Sequence, residues 1–100
     1  MEILDFKNVV SNFESQLKTE FEFEVQEKNY SAYSFGSGLA AYKIKGKMFR
    51  LIFDGKDNIV ALEKSDSHQS YPNCTWESLF YAKPKEFLEK ATAEIKAICK

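Results

Sequence analysis

An α+β fold, a two-layer sandwich of helices on one antiparallel sheet, is predicted by three features of this sequence. The hydrophobic period is helical at the start, where Ile3, Phe6, Val9, Val10, Phe13 and Leu17 recur every three or four residues. It then alternates at Phe21, Phe23 and Val25, and it returns to helical spacing after Thr75. Between the helical ends, glycine, asparagine and aspartate punctuate a series of short apolar runs, as hairpin connections do.

Each element follows from its local chemistry. Asp5 can accept from the free amides of a helix start, and a helix from Asp5 to Thr19 turns its apolar stripe inward while Lys7, Asn12, Glu14 and Lys18 face water. Glu20 to Glu27 reads as a half-buried strand, with Phe21, Phe23 and Val25 on one face and Glu20, Glu22, Glu24 and Gln26 on the other. Lys28-Asn29 suits a tight turn into a second strand, Tyr30 to Phe35. Gly36-Ser37-Gly38 reads as a hairpin turn, and Gly46 divides the following stretch from Leu39 to Phe53 into two strands. Asp54 to Asn58 forms the next hairpin loop, leading into Ile59 to Lys64. Ser65 to Asn73 is polar and carries the only histidine, which makes it the longest loop. Thr75 can cap a short helix through Trp76 to Tyr81, and Pro84 opens a helix striped by Phe87, Leu88, Ala91, Ile95 and Ile98.

The sum is one domain over residues 1–100: an N-terminal helix, a meander of about four to five strands, and a C-terminal helix or helix pair on the same sheet face. The opposite face, with Glu20, Glu22, Glu24, Lys43, Lys45 and Lys64, is left to solvent or to a partner.

Composition narrows the function classes. The chain is 44% hydrophobic and 29% charged, and its nine Phe promise an aromatic core. A net charge of −1 and a pI near 5.8 disfavour a protein built to neutralise many phosphates. No apolar run approaches the roughly 20 residues of a membrane span, and the start does not read as a signal peptide, so a cytoplasmic protein is expected. Cys74 and Cys99 spell neither a zinc nor a redox motif, and reduced structural thiols are the expectation.

No cofactor or metal site is written in the motifs. Gly36-x-Gly38 lacks the lysine and following helix of a phosphate loop, and Asp54, Asp57 and Asn58 lack the ligand spacing of a calcium loop. His68 with Cys74 or Asp66 is the one local acid-base or nucleophile pair, without a third group to orient it. Lys43, Lys45, Lys47 and Arg50, near Tyr30, Tyr33 and Tyr42, are candidates for stacking and phosphate contacts with single-stranded nucleic acid, although the usual signature and charge excess are missing. Glu20, Glu22 and Glu24 recur at about 7 Å on one strand face and suit a basic surface, though an ordinary solvated sheet face also looks like this. Tyr71 and Trp76 are of the residue types that anchor interfaces.

The reading these features favour is a small non-enzymatic protein-binding module of the inhibitor or immunity type. It would block a target such as a nuclease or another basic protein through Glu20, Glu22, Glu24, Tyr30, Tyr33, His68, Tyr71 and Trp76, with no membrane contact. The alternatives are a nucleic-acid or small-ligand binder using the Lys/Tyr surface, and a small enzyme using His68. A homodimer through an open sheet edge is a further expectation.

Overall fold

The computed structural model describes residues 5–31, 36–65 and 75–99. Helix α1 (Phe6–Lys18) is followed by five strands, β1 (Phe23–Ser31), β2 (Ser37–Ile44), β3 (Lys47–Asp54), β4 (Ile59–Ser65) and β5 (Glu77–Ala82), and by helix α2 (Pro84–Ile98). The strands form one antiparallel meander in the order β1-β2-β3-β4-β5, so the fold is α+β.

Local chemistry sets the helix ends. The Asp5 carboxylate accepts from the Asn8 amide at 2.9 Å, capping α1. At the other end the Thr19 hydroxyl donates to the Gln16 carbonyl at 2.7 Å, while the Glu20 and Phe21 amides bond back to the Leu17 carbonyl. Pro84 sits in the first turn of α2, where its missing N–H costs nothing.

The turns are equally legible. Lys45 and Gly46 both have positive φ, 51° and 78°, as a two-residue hairpin of the primed type requires. In the β3–β4 loop, the Asp54 carboxylate accepts from the amides of Lys56 and Asp57 at 3.0 and 3.3 Å, and Asn58 takes the left-handed conformation.

Both helices lie on one sheet face, and an aromatic relay marks the core between the layers. Phe23 meets Tyr42 at 5.5 Å between ring centroids, Tyr42 meets Phe13 at 5.4 Å, Phe13 meets Phe87 at 5.7 Å, and Phe87 meets Phe80 at 5.7 Å. The relay thus crosses from β1 to β5 through both helices. Val9, Leu17, Ile44, Leu51, Leu62, Ala91 and Ile95 fill the spaces around it with no solvent exposure.

Four expectations need correction. Lys28-Asn29 is not a turn: β1 runs on to Ser31, because a bulge between Val25 and Glu27 absorbs the change of phase and puts Lys28 and Tyr30 on the helix side. The strand also starts later than expected, since Glu20 and Phe21 close the last turn of α1. Trp76 to Tyr81 is no helix, because Glu77–Ala82 adds to β4 as a fifth strand and packs the partly buried Phe80 against Phe87. Of the two expected C-terminal arrangements, a single helix or a pair, the single helix is the one present. Finally, the face away from the helices differs from the expected set of Glu20, Glu22, Glu24, Lys43, Lys45 and Lys64: Leu39, Ala41, Met48 and Ile52 fall on it, and Lys64 pairs with Phe49 on the helix side.

Candidate protein-docking face

The meander's register arranges this outer face in cross-strand rows. One row aligns Glu24, Lys43, Met48 and Ser65, and of these Met48 and Ser65 are buried. The next aligns Glu27, Ala41, Arg50, Glu63 and Ser78. The third aligns Asn29, Leu39, Ile52, Ala61 and Tyr81.

Arg50 organises the centre. Its Nε donates to the Glu63 carboxylate at 2.5 Å, and its guanidinium lies 4.3 Å from the centroid of the Trp76 ring. The cation–π contact with the indole and a charge-assisted hydrogen bond hold the guanidinium in place. Both side chains of the ion pair keep about a fifth of their surface accessible, 23% and 19%, so the pair is half-buried and still reachable. Beside it Leu39 and Ile52 are partly exposed, and they border a shallow groove to which Tyr30, Gly38 and Phe53 contribute from the helix side.

The residues singled out from the sequence separate in space. Glu20 belongs to the turn after α1 and pairs with Lys96 of α2 at 3.2 Å, so it does not share a face with Glu24. Glu22 is exposed just before β1, and Glu24 stands opposite Lys43 on the outer face. Tyr30 is on the helix side, stacked on Phe6 at 5.7 Å with the Lys7 ammonium 5.5 Å from its ring. Trp76 is on the outer face beside Arg50. Tyr33, His68 and Tyr71 lie outside the described residues, as does Cys74.

The basic and aromatic set is also dispersed. Lys43 and Arg50 are on the outer face, Lys45 is in the turn, and Lys47 pairs with Ile44 on the helix side. Tyr42 is fully buried, and its hydroxyl donates to the Glu14 carboxylate at 2.8 Å. Burial, and then the hydrogen bond to Glu14 and its negative charge, push the Tyr42 phenol well above its ordinary range. Burial likewise raises the Cys99 thiol, against the opposing charges of Lys47 and Lys45.

The pairing of Arg50 with Glu63 was obtainable from the sequence. Once the β3–β4 hairpin pairs Asp54 with Ile59, counting four residues outward on each strand brings these two opposite each other. Its cover by Trp76 was not obtainable, because that depends on β5.

Among the described residues, no group of three or more His, Cys, Asp or Glu is placed to hold a metal ion, and no helix is long and apolar enough to cross a membrane. The fold and this face define a small α+β domain with an antiparallel sheet covered by helices on one side. No family model matches the chain, and comparisons with curated proteins and with solved structures find no match either.

Proposed function

We propose that this chain is a non-enzymatic protein-binding module of the inhibitor or immunity type, docking on its target through the outer sheet face. The observation that carries this reading is the Arg50 guanidinium, oriented by Trp76 and Glu63 beside partly exposed Leu39 and Ile52. Trp and Arg are over-represented among residues that dominate binding energy, and an arginine already held in place loses little freedom on docking. Apolar side chains next to an oriented charge, bordered by Glu24 and Glu27, follow the core-and-rim plan of protein interfaces.

Glu24 and Glu27 would favour a partner with basic groups at that border, and the chain's small size and slight acidity suit a blocker of a basic target. Glu22 joins this surface at its β1 end, where it lines a cleft with Glu24, Lys43 and Lys45. The nucleic-acid reading has less support, since Tyr42 is in the core and Lys47 is on the helix side, away from Lys43 and Arg50.

The test is capture of partners from the native host with tagged wild type and with a folded Arg50→Ala/Trp76→Ala variant. A protein retained near one-to-one by the wild type and lost from the variant supports the reading. Equal recovery by both removes the outer face from it.

A further inference from the structure

We propose that a second copy of this chain pairs with the open edge of β5, antiparallel and with its two-fold axis at Tyr81. This is independent of docking through Arg50 and Trp76.

The two sheet edges differ in how they are guarded. A free strand edge offers unpaired N–H and C=O groups to any extended chain, and proteins normally blunt it with charges, proline or a bulge. At the β1 edge Glu24, Glu27 and Lys28 supply charge, and the bulge between Val25 and Glu27 interrupts the ladder. At the β5 edge the run Ser78-Leu79-Phe80-Tyr81-Ala82 has neither charge nor proline, and the one irregularity of β5, at Leu79 opposite Leu62 and Glu63, leaves Phe80 to Ala82 in regular register. Tyr81 in that run is 72% exposed, the largest value among the exposed large hydrophobic residues described.

The face parity of β5 makes one register self-complementary. Tyr81 pairs with Ala61 and so points to the outer face, whereas Phe80 and Ala82 pair with Leu62 and Val60 and point to the helix side. Residues directly opposite each other in an antiparallel pair share a face. A two-fold axis at Tyr81 sets the two Tyr81 rings against each other on the outer face and Phe80 against Ala82 of the second copy on the helix side. Beyond Phe80 to Ala82, Glu77 lies toward the Lys83–Lys85 end of the second copy, so no like charges face each other. An axis between residues 80 and 81 would oppose residues from different faces. The result is a continuous ten-stranded sheet, closed by a short ladder centred on Phe80, Tyr81 and Ala82, and association this limited depends on concentration.

Sedimentation velocity over a micromolar concentration series gives the mass, and a short bis-maleimide applied to Tyr81→Cys in a Cys74→Ser/Cys99→Ser background gives the register. Expected are a rise from 11.6 kDa toward twice that mass, cross-linked dimer from Tyr81→Cys, and a monomer for Tyr81→Lys with unchanged far-ultraviolet circular dichroism. A wild type that stays monomeric throughout overturns the proposal. So does a dimer that survives Tyr81→Lys, or one that cross-links as well from Glu24→Cys on β1.

Discussion

The hydroxyl of Tyr42 donates to the Glu14 carboxylate at 2.8 Å, and the Lys28 ammonium reaches that carboxylate at 2.7 Å, so one acidic side chain on α1 ties down β2 and the edge strand β1. Tyr42 has no solvent exposure, which makes the carboxylate its replacement for water. Hydrogen bonds to charged groups contribute about 1.5–3 kcal/mol. Tyr42→Phe should fall at the low end, because Lys28 still partners Glu14. Glu14→Ala should cost more, since it strands a buried hydroxyl as well as a cation. Urea unfolding of both variants and of the double variant measures the coupling, and a coupling energy near zero would refute this arrangement.

The same contact predicts a pH dependence. Below the ordinary tyrosine value of 10.0 both folded and unfolded chains keep the Tyr42 proton, and its contribution to stability is fully present. Above that value the unfolded chain releases the proton while burial makes the folded chain retain it. Stability then falls, by at most about 1.4 kcal/mol per pH unit for this one group. Tyr42→Phe should flatten the decline between the wild type's pH 9 and 11 unfolding curves, and identical slopes would show that Tyr42 titrates alike in both states.

Gly38 is where the sheet lets α1 come close. A Cβ there would meet the Phe6 ring at 2.6 Å and the Asn29 carbonyl oxygen at 2.8 Å. Gly38→Ala should therefore destabilise by about 1–3 kcal/mol, as overpacking does. Gly46→Ala, with open space around it, pays only for its left-handed backbone, about 1 kcal/mol. Thermal unfolding orders the two, and adding Phe6→Leu should recover part of the loss at Gly38 and none at Gly46.

Trp76 is the sole tryptophan, so it reports on its own contact with Arg50. Arg50→Ala should shift its emission to the red and lower stability by about 1 kcal/mol, the combined scale of an exposed cation–π contact and a half-buried ion pair. An unchanged spectrum from a folded variant would mean that the guanidinium does not cover the ring.

Much of the fold was legible because single residues decide it. Asp5, Pro84, Gly46 and the Asp54–Asn58 cluster each act within a few residues of themselves, and each does what its type implies. The errors arose where tertiary contacts override local pattern. The bulge at Val25–Glu27 converted an apparent turn at Lys28-Asn29 into continuous strand, and packing of Phe80 on Phe87 made a strand of a segment with helical spacing. The candidate site fared worse for the same reason. Three evenly spaced glutamates suggest one acidic face only if all three lie in the strand, and Glu20 instead belongs to the end of α1 and to Lys96. Arg50, Glu63 and Trp76 come from three different strands or their flanks, and only the assembled sheet brings them together.

Partner capture with the Arg50→Ala/Trp76→Ala variant, set beside Glu86→Ala on α2 as a control away from the outer sheet face, tests the docking face most directly. The account predicts a near-stoichiometric protein partner with the wild type and with Glu86→Ala, and its loss with Arg50→Ala/Trp76→Ala. Retention of that partner by a folded Arg50→Ala/Trp76→Ala variant would contradict it.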